Sequence, residues 1–340
     1  MDLVCVGACY LDTILRQVHP PRSVVPYYPD EDSKLRASNL QVRRGGNCPN
    51  TLEVLQQLLR QEQGARQIDR VSPYLVTCLP ARHAPATVRI IESFGVDTPV
   101  DFSRCIFRDN EEAASSYIIR SSATGSRTLV NYNELAEMTF DEFVIAAKSL
   151  DGENAWFHFE GRIPATTLQC IHWLRRSKPR ARVSVEVEKP GREGLENLVA
   201  EADVVFFSRS WAESKLYTDA EQCLRVQSAK ARRGSHLFCT WGSQGAAYLS
   251  PDGAIVSCQA TQPGQTIRVI DTVGAGDTFI AGILFGFLHY DHNWDNRTKL
   301  SFAVQLATCK VQQEGFNDLG FKASRCLAVA SSSASVQPQS

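Results

Sequence analysis

The sequence predicts an α/β fold: a mainly parallel sheet in a layered core, with a small second β-structure beside it. Three observations carry this. Short apolar runs at Trp156–Phe159, Val183–Val187, Val204–Phe207 and Leu237–Trp241 alternate with helical segments near 165–175, 192–199 and 219–231, the rhythm of βαβ units. Two glycine-rich turns lead straight into apolar helices, at Gly45-Gly46-Asn47 and at Gly274-Ala275-Gly276. Finally, Glu31–Arg43 and the pair Ala113–Arg120 and Arg127–Tyr132 have strand character but stand outside that rhythm.

Length and charge bound the function. With 340 residues the chain can bury one large α/β core and an appendage. Lys and Arg number 36 against 37 Asp and Glu, so there is neither the basic field expected of a nucleic-acid binder nor an acidic excess. Small molecules are the expected partners. The 11 cysteines include no CxxC pair, and the closest, Cys5 and Cys9, sit in an apolar run as small hydrophobes. Reduced thiols, the absence of a basic leader and the absence of a membrane-length apolar stretch lead to the expectation of a cytoplasmic protein.

In chain order, Leu3–Cys9 reads as a buried parallel strand that delivers Asp12 just beyond its C-terminal end, where open α/β sheets bind ligands. The proline-rich stretch 20–29 is irregular, and Glu31–Arg43 alternates like a solvent-facing ribbon. After Pro49, Leu52, Val54, Leu55, Leu58 and Leu59 recur at helical spacing. Tyr74–Leu79 reads as a strand and Pro85–Phe94 as a helix stopped by Gly95. Ser122 to Ser126 has turn composition, so the runs on either side predict a hairpin that pairs with the earlier ribbon. Helices from Ala275 and Asp295 close the core, and residues 321–340 read as a disordered Ser-rich tail after a domain spanning 1–320.

The stretch with most chemistry is Asp271–Gly282, DTVGAGDTFIAG. A glycine-rich loop opening a helix aims orphan amides and the positive end of the helix dipole at one point, which stabilises a phosphate or a developing anion. Asp277 is the unexpected member, because a carboxylate beside such a loop repels phosphate unless a cation intervenes or the acid takes a proton. Alone, the motif is equally well an N-cap acid on an ordinary helix start. No GxxxxGK[ST] sequence and no HRD or DFG set occurs, and the Gly274–Gly276 loop lacks the third glycine of a dinucleotide fingerprint.

The pair RGGNCPN (Arg44–Asn50) and DTVGAGDTFIAG resembles the two signatures of the ribokinase-like, PfkB sugar kinase family. YPDEDSKLR, GSRTL, HFEGR, RVSVEVEKP and ADVVFFS resemble stretches of that family's fructokinases that make fructose 1-phosphate, in order and across nearly the whole chain. The resemblance implies a three-layer α/β/α core with a β-sheet lid from residues near 11–44 and 110–133; a lid ribbon with exposed edges invites pairing with a second copy, so a homodimer through the lids is expected. It implies ATP and Mg²⁺, and it leaves K⁺ open. Asp277 matches the catalytic base and the amides of Gly274, Ala275 and Gly276 the anion hole. Asp12, Gly46, Asn47 and Asn50 match sugar contacts, with Asp32 and Lys189 as weaker members. Arg127 matches an arginine reaching ATP phosphate, and Gly242, Ser243, Gln244 and Gly245 match an adenine-side loop. Another sugar or nucleoside kinase, or a non-catalytic binder of the same fold, are the alternatives.

One departure concerns the metal. The family's Asn-x-x-Glu element is replaced by Ser208-Arg209-Ser210-Trp211. In Val183–Glu188 the acids Glu186 and Glu188 alternate with valines, which puts two carboxylates on one face of a strand. Either they take part in water-mediated Mg²⁺ placement, or the strand lies at an edge with one wet face. The basic run Arg175–Arg182 reads as a solvated loop, the group His289, Asp291, His292 and Asp295 as a polar surface turn, and His158 as a hydrogen-bonded core histidine.

Overall fold

A computed structural model describes residues 1–17, 31, 32, 34, 37–62, 71–109, 112–120, 127–150, 154–261, 266–324 and 326. The chain opens on β1 (Asp2–Val6), leaves the core as β2 (Tyr10–Gln17) and β3 (Ala37–Gly45), and returns through α1 (Asn47–Glu62) to β4 (Ser72–Val76). β5 (Cys78–Pro80), α2 (Pro85–Glu92) and β6 (Ile106–Arg108) follow, and then a second excursion of β7 (Ser115–Arg120) and β8 (Arg127–Tyr132). Helix α3 (Phe140–Lys148) leads to β9 (Ala155–Phe159), α4 (Pro164–Ser177) to β10 (Arg182–Val187), and α5 (Leu195–Val199) to β11 (Val204–Phe207). Helices α6 (Arg209–Ser214) and α7 (Ala220–Ser228) lead to β12 (His236–Thr240), followed by β13 (Ala246–Leu249), β14 (Ile255–Cys258), α8 (Ala275–His289) and α9 (Asn296–Val311).

The main sheet has eight strands in the order β14-β13-β12-β11-β10-β9-β1-β4, parallel from β12 to β4 and antiparallel at β13 and β14. Parallel strands covered on both faces read as continuous apolar runs, as β1 and β9 do. Their side chains sort by parity. Leu3, Cys5, Trp156 and Phe206 join the cluster under α1, α8 and α9, whereas Val4, Val6, Phe157, Val183 and Val185 join the cluster under α3 to α7. Helix α8 is buried from Asp277 to Phe287 because the sheet, α1 and α9 enclose it, so it is apolar on nearly every side.

The excursions form a separate four-stranded sheet in the order β3-β2-β7-β8, the lid expected from the sequence. β2 pairs antiparallel with β3 and parallel with β7, and β7 and β8 form the expected hairpin, whose turn at 121–126 lies outside the described residues.

Several boundaries differ from expectation for physical reasons. β1 stops at Val6, since Gly7–Cys9 form a loop whose Ala8 N–H donates to Glu160 Oε2 at 2.8 Å. The run Tyr74–Leu79 divides at Thr77, because β5 turns away to pair with β6. β10 is no edge strand: β9 and β11 flank it, and valines bury its opposite face. The proposed tail from 321 begins instead with helical residues 319–324 and 326, anchored because Ala323 and Cys326 pack into the core, and 327–340 lie outside the described residues. The basic run begins in the last turn of α4, where a half-buried Arg175 donates to Ala181 O and Glu201 O, crosses the connection 178–181 and ends on Arg182 opening β10, and Asp291 is a half-buried partner of Arg182 and Lys299.

Candidate active site

The two glycine-rich turns meet where the lid joins the core. Gly46 has φ 108° and Gly274 φ 78°, values that side chains resist, and a Cβ on either would overlap Ala8 O or the Phe316 ring. These glycines let α1 and α8 start beside each other. Asn50 Nδ2 donates to Asp277 Oδ2 at 2.8 Å, and Thr51 Oγ1 donates to Asp277 O at 3.3 Å.

A residue assigned no role from the sequence orients this pair. Arg44 is buried, stacks over Phe94 at 4.1 Å, and donates to Asn50 Oδ1 at 3.3 Å, to Glu53 at 3.2 Å and to Ser93 at 3.0 Å. With Oδ1 of Asn50 held by the guanidinium, its NH₂ must face Asp277. Arg44 lay within the recognised RGGN turn, but only its burial shows what it does.

The second polar chain runs across the sheet. Trp156 Nε1 donates to Ser184 Oγ at 2.8 Å, Ser184 Oγ lies 2.9 Å from His158 Nδ1, and His158 Nε2 lies 3.1 Å from Glu186 Oε1. Burial holds the imidazole neutral, with its pKa lowered to about 3, so this last contact is a hydrogen bond and not an ion pair. The neutral ring is thereby held at both nitrogens, between the Ser184 hydroxyl and the Glu186 carboxyl. Asn47 Nδ2 then donates to Glu186 Oε2 at 2.7 Å and to Glu188 Oε2 at 2.8 Å. His158 is thus a core histidine as expected, and also a clamp on Glu186.

Four acids crowd this region. Burial, then the Glu188 charge, pushes Glu186 up to about 8; burial, then Glu186, pushes Glu160 up to about 7. Burial and the charge of Glu186 likewise raise Asp277 well above the ordinary carboxylate range. Hard oxygen donors at such density suit a divalent cation, which would relieve the repulsion. Cys48, His158 and Glu186 also bring ligand-type atoms within 4.8 Å, but burial keeps the thiol protonated and His158 is spent on Glu186.

Glu186, Glu188 and Asp277 line a cavity of about 460 Å³ between lid and core. Asp12, Gly46, Asn47, Asn50, Lys189 and Asp277 all border it, as do Glu186 and Glu188. Asp32 does not border it and is exposed in a left-handed turn with φ 62°. A second, mainly apolar cavity of about 420 Å³ shares Thr240, Thr272, Gly276 and Phe279 with the first and is bordered by Gly242, Ser243, Gly245 and Ala275. Gln244 is exposed and does not line it. Arg127 opens β8, but its side chain lies outside the described residues. At the altered Asn-x-x-Glu position Ser208 caps α6, accepting from Trp211 N–H at 3.1 Å and donating to Glu188 O at 2.6 Å.

A layered α/β core, a β lid over a polar cavity, and a helix start pointing at a junction with an adjoining apolar cavity define a phosphotransferase of small hydroxyl compounds. Residues 1–319 match the pfkB family of carbohydrate kinases, and the chain belongs to that family. It is an ATP-dependent sugar kinase. It is 30% identical over 326 residues to mouse ketohexokinase, covering 94% of this chain and 98% of that protein. The fold is shared with the ribokinase of Arabidopsis thaliana, solved with ribose and ATP (TM-score 0.69, 17% identity, 96% and 98% of the two chains). It is shared equally with the ribokinase of Thermotoga maritima (TM-score 0.72, 14% identity, 96% and 99% of the two chains). Among the described residues no helix is long and apolar enough to cross a membrane.

Proposed function

We propose that the chain transfers the terminal phosphoryl group of ATP to a ketose, fructose, at its 1-hydroxyl, giving fructose 1-phosphate and ADP. The observation that carries this is the position of Asp277, buried on the wall of the polar cavity beside Gly276, which that cavity shares with the apolar one. The match to mouse ketohexokinase over nearly both full lengths supports the choice of sugar.

In this reading Asp277 takes the proton of the attacking hydroxyl, whose oxygen forms the new bond to phosphorus as the bond to ADP breaks. The amides at Gly274, Ala275 and Gly276 receive the charge on the transferring group. Asn50 aims the carboxylate of Asp277, while Asp12 and the Oδ1 of Asn47 face the sugar, since both amide protons of Asn47 are taken by Glu186 and Glu188. Gly242, Ser243 and Gly245 border the base. Glu186 and Glu188 would hold Mg²⁺ through water, and the ion supplies charge neutralisation at the phosphate oxygens.

We also propose that two copies pair through the lid. In the lid sheet Asp12, Ser116, Ile118 and Leu129 face the cavity, so strand alternation turns Leu40, Tyr117, Val130 and Tyr132 to the other side, where they are 65, 50, 62 and 43% exposed. A second copy of the same face would cover them.

The deciding experiment incubates the protein with ATP, Mg²⁺ and a panel of ketoses and aldoses, and identifies the product by phosphorus and carbon NMR. Fructose 1-phosphate at a rate well above an Asp277→Asn control is expected. Turnover of fructose no faster than that control, or phosphate on another hydroxyl, overturns the reading.

A further inference from the structure

The final turn of α9 carries a lysine that the reaction outlined above does not use. Lys310 is fully buried, and its Nζ donates to the backbone O of Asp271 at 3.0 Å and to Asp271 Oδ2 at 3.0 Å, while Phe316 lies beneath it at 5.4 Å. Both acceptors belong to the first residue of the glycine-rich loop. The other carboxylate oxygen of Asp271 accepts from Val273 N–H at 3.1 Å, and the N–H groups of Ile270 and Asp271 donate to Val311 O at 2.7 and 3.2 Å. Phe316, which stacks under the ammonium, is also the ring against which Gly274 is packed.

We propose that Lys310 is a positioning residue whose buried ammonium fixes Asp271, and through it the loop to Gly276, in the conformation that presents the first amides of α8 to a transferring phosphoryl group. It rests on the reading of those amides as an anion site. An ammonium bound to a carbonyl and a carboxylate of one residue sets both the backbone and the side chain of that residue. Asp271 in turn sets Val273 through the turn it closes. Arg43 Nη1 also reaches Asp271 Oδ2, at a longer 3.5 Å, but among these two cations Lys310 alone binds the backbone oxygen as well, at 3.0 Å, so it is Lys310 that sets backbone and side chain together. The same turn of α9 supplies Ala307, Thr308 and Val311 to the apolar cavity. Lys310 therefore joins the wall of the base pocket to the loop that meets the phosphates.

Removal of the side chain beyond Cβ leaves space for an ion up to the size of propylammonium, with two oxygen acceptors at its end, which makes chemical rescue by small ammonium ions the test. In Lys310→Ala, kcat for fructose is expected to fall on the order of 10²-fold, the cost of misplacing a reacting group by about 1 Å. KM for fructose should stay unchanged, because the sugar side of the cavity does not touch Lys310. Ammonium or methylammonium chloride should restore about tenfold of that rate, and choline chloride none, since only a small cation regains the two charge-assisted bonds. A loss of less than about threefold, or a loss equally insensitive to all three salts, overturns the proposal. Lys310→Met combined with Asp271→Asn removes the buried pair together and leaves only Arg43, which is 22% exposed and solvated, without its carboxylate, so it is the variant to use where Lys310→Ala does not fold. It should be slow and indifferent to ammonium; wild-type speed in this pair overturns the proposal.

A binding arm separates this inference from the identity of the sugar. Calorimetry with a non-hydrolysable ATP analogue and with adenosine, in the absence of any sugar, should show Lys310→Ala weakened for the first and unchanged for the second. Equal affinity of variant and wild type for the analogue overturns the role of Lys310, whatever sugar the kinase takes.

Discussion

Asn50 and Asp277 lie 227 positions apart in sequence, and their side chains meet at 2.8 Å inside the protein. The amide gives one proton to the carboxylate while its oxygen is held by Arg44, so the orientation of Asp277 depends on a residue in the lid strand β3. Lid and core are thereby connected through the group proposed to act as base.

Asp277→Asn keeps the shape of the side chain and the neighbouring packing but cannot accept the hydroxyl proton. The expected outcome is a fall in kcat on the order of 10²–10⁴-fold. The unfolding temperature should be unchanged or higher, since a buried carboxylate crowded by Glu186 is removed. Coupled measurement of ADP release and thermal unfolding checks both halves, and an unchanged kcat removes Asp277 from the base role.

Asn50→Asp replaces the donor facing Asp277 with a second negative charge, next to Arg44. The carboxylate of Asp277 should then require a higher pH to lose its proton, so the acidic limb of the kcat profile should move upward. Loss of activity near neutral pH with partial recovery in alkaline buffer is the expected profile. A uniform loss at every pH counts against an electrostatic role for Asn50.

The pKa values of Glu160 and Glu186 predict an unusual stability profile. Both are raised in the folded protein, to about 7 and about 8, so the native state holds protons that the unfolded chain releases above its ordinary carboxylate range. Stability without metal is then fully present below about 4.5, falls progressively above it at up to about 1.4 kcal/mol per pH unit for each group, and has been lost once pH has passed 7 to 8. MgCl₂ with a bound ATP analogue should flatten this slope if Glu186 and Glu188 face the cation, and Glu186→Gln should flatten it without metal. Melting temperatures across pH 5–9 with and without Mg²⁺ provide the check.

Two glycines of one loop should behave differently. At Gly274 a methyl group meets both a left-handed backbone and the Phe316 ring, so Gly274→Ala should lose at least about 1–2 kcal/mol of stability. At Gly276 a methyl group meets open space, and that space is the junction of the two cavities. Gly276→Ala should therefore hold stability within about 0.5 kcal/mol while raising KM for ATP. Denaturant unfolding and steady-state kinetics on the two variants distinguish them.

Charge on the outer face of the lid should separate the proposed dimer. Leu40→Lys with Val130→Lys would place two ammonium groups on each copy of a face that must contact itself. Light scattering should then show a shift from dimer to monomer, whereas a monomeric wild type denies the pairing.

Much of this protein was legible because its motifs are local. Gly274–Gly276, Asp277, Asn47 and Asn50 lie within stretches of seven to twelve residues, where spacing alone places a turn, a helix start and a functional group together. The lid was legible from three β-type runs outside the βαβ rhythm, and the core histidine from its apolar neighbours. The position of β10 was not: Glu186 and Glu188 are consistent with a wet edge strand until the sheet order puts β9 and β11 on its flanks. Asp32 does not border the described cavity, and its place along the chain carried no information on that.

The sequence by itself determined the fold class, the two helix starts and the acid between them, since backbone conformation and apolar periodicity are properties of neighbouring residues. The tertiary structure alone decided that Arg44 aims Asn50, that His158 holds Glu186 and that Lys310 pins Asp271. Each of these rests on a buried charge or hydrogen bond whose partner is distant in sequence or on another element, and burial in a low-dielectric core is what makes such a contact strong enough to set an orientation.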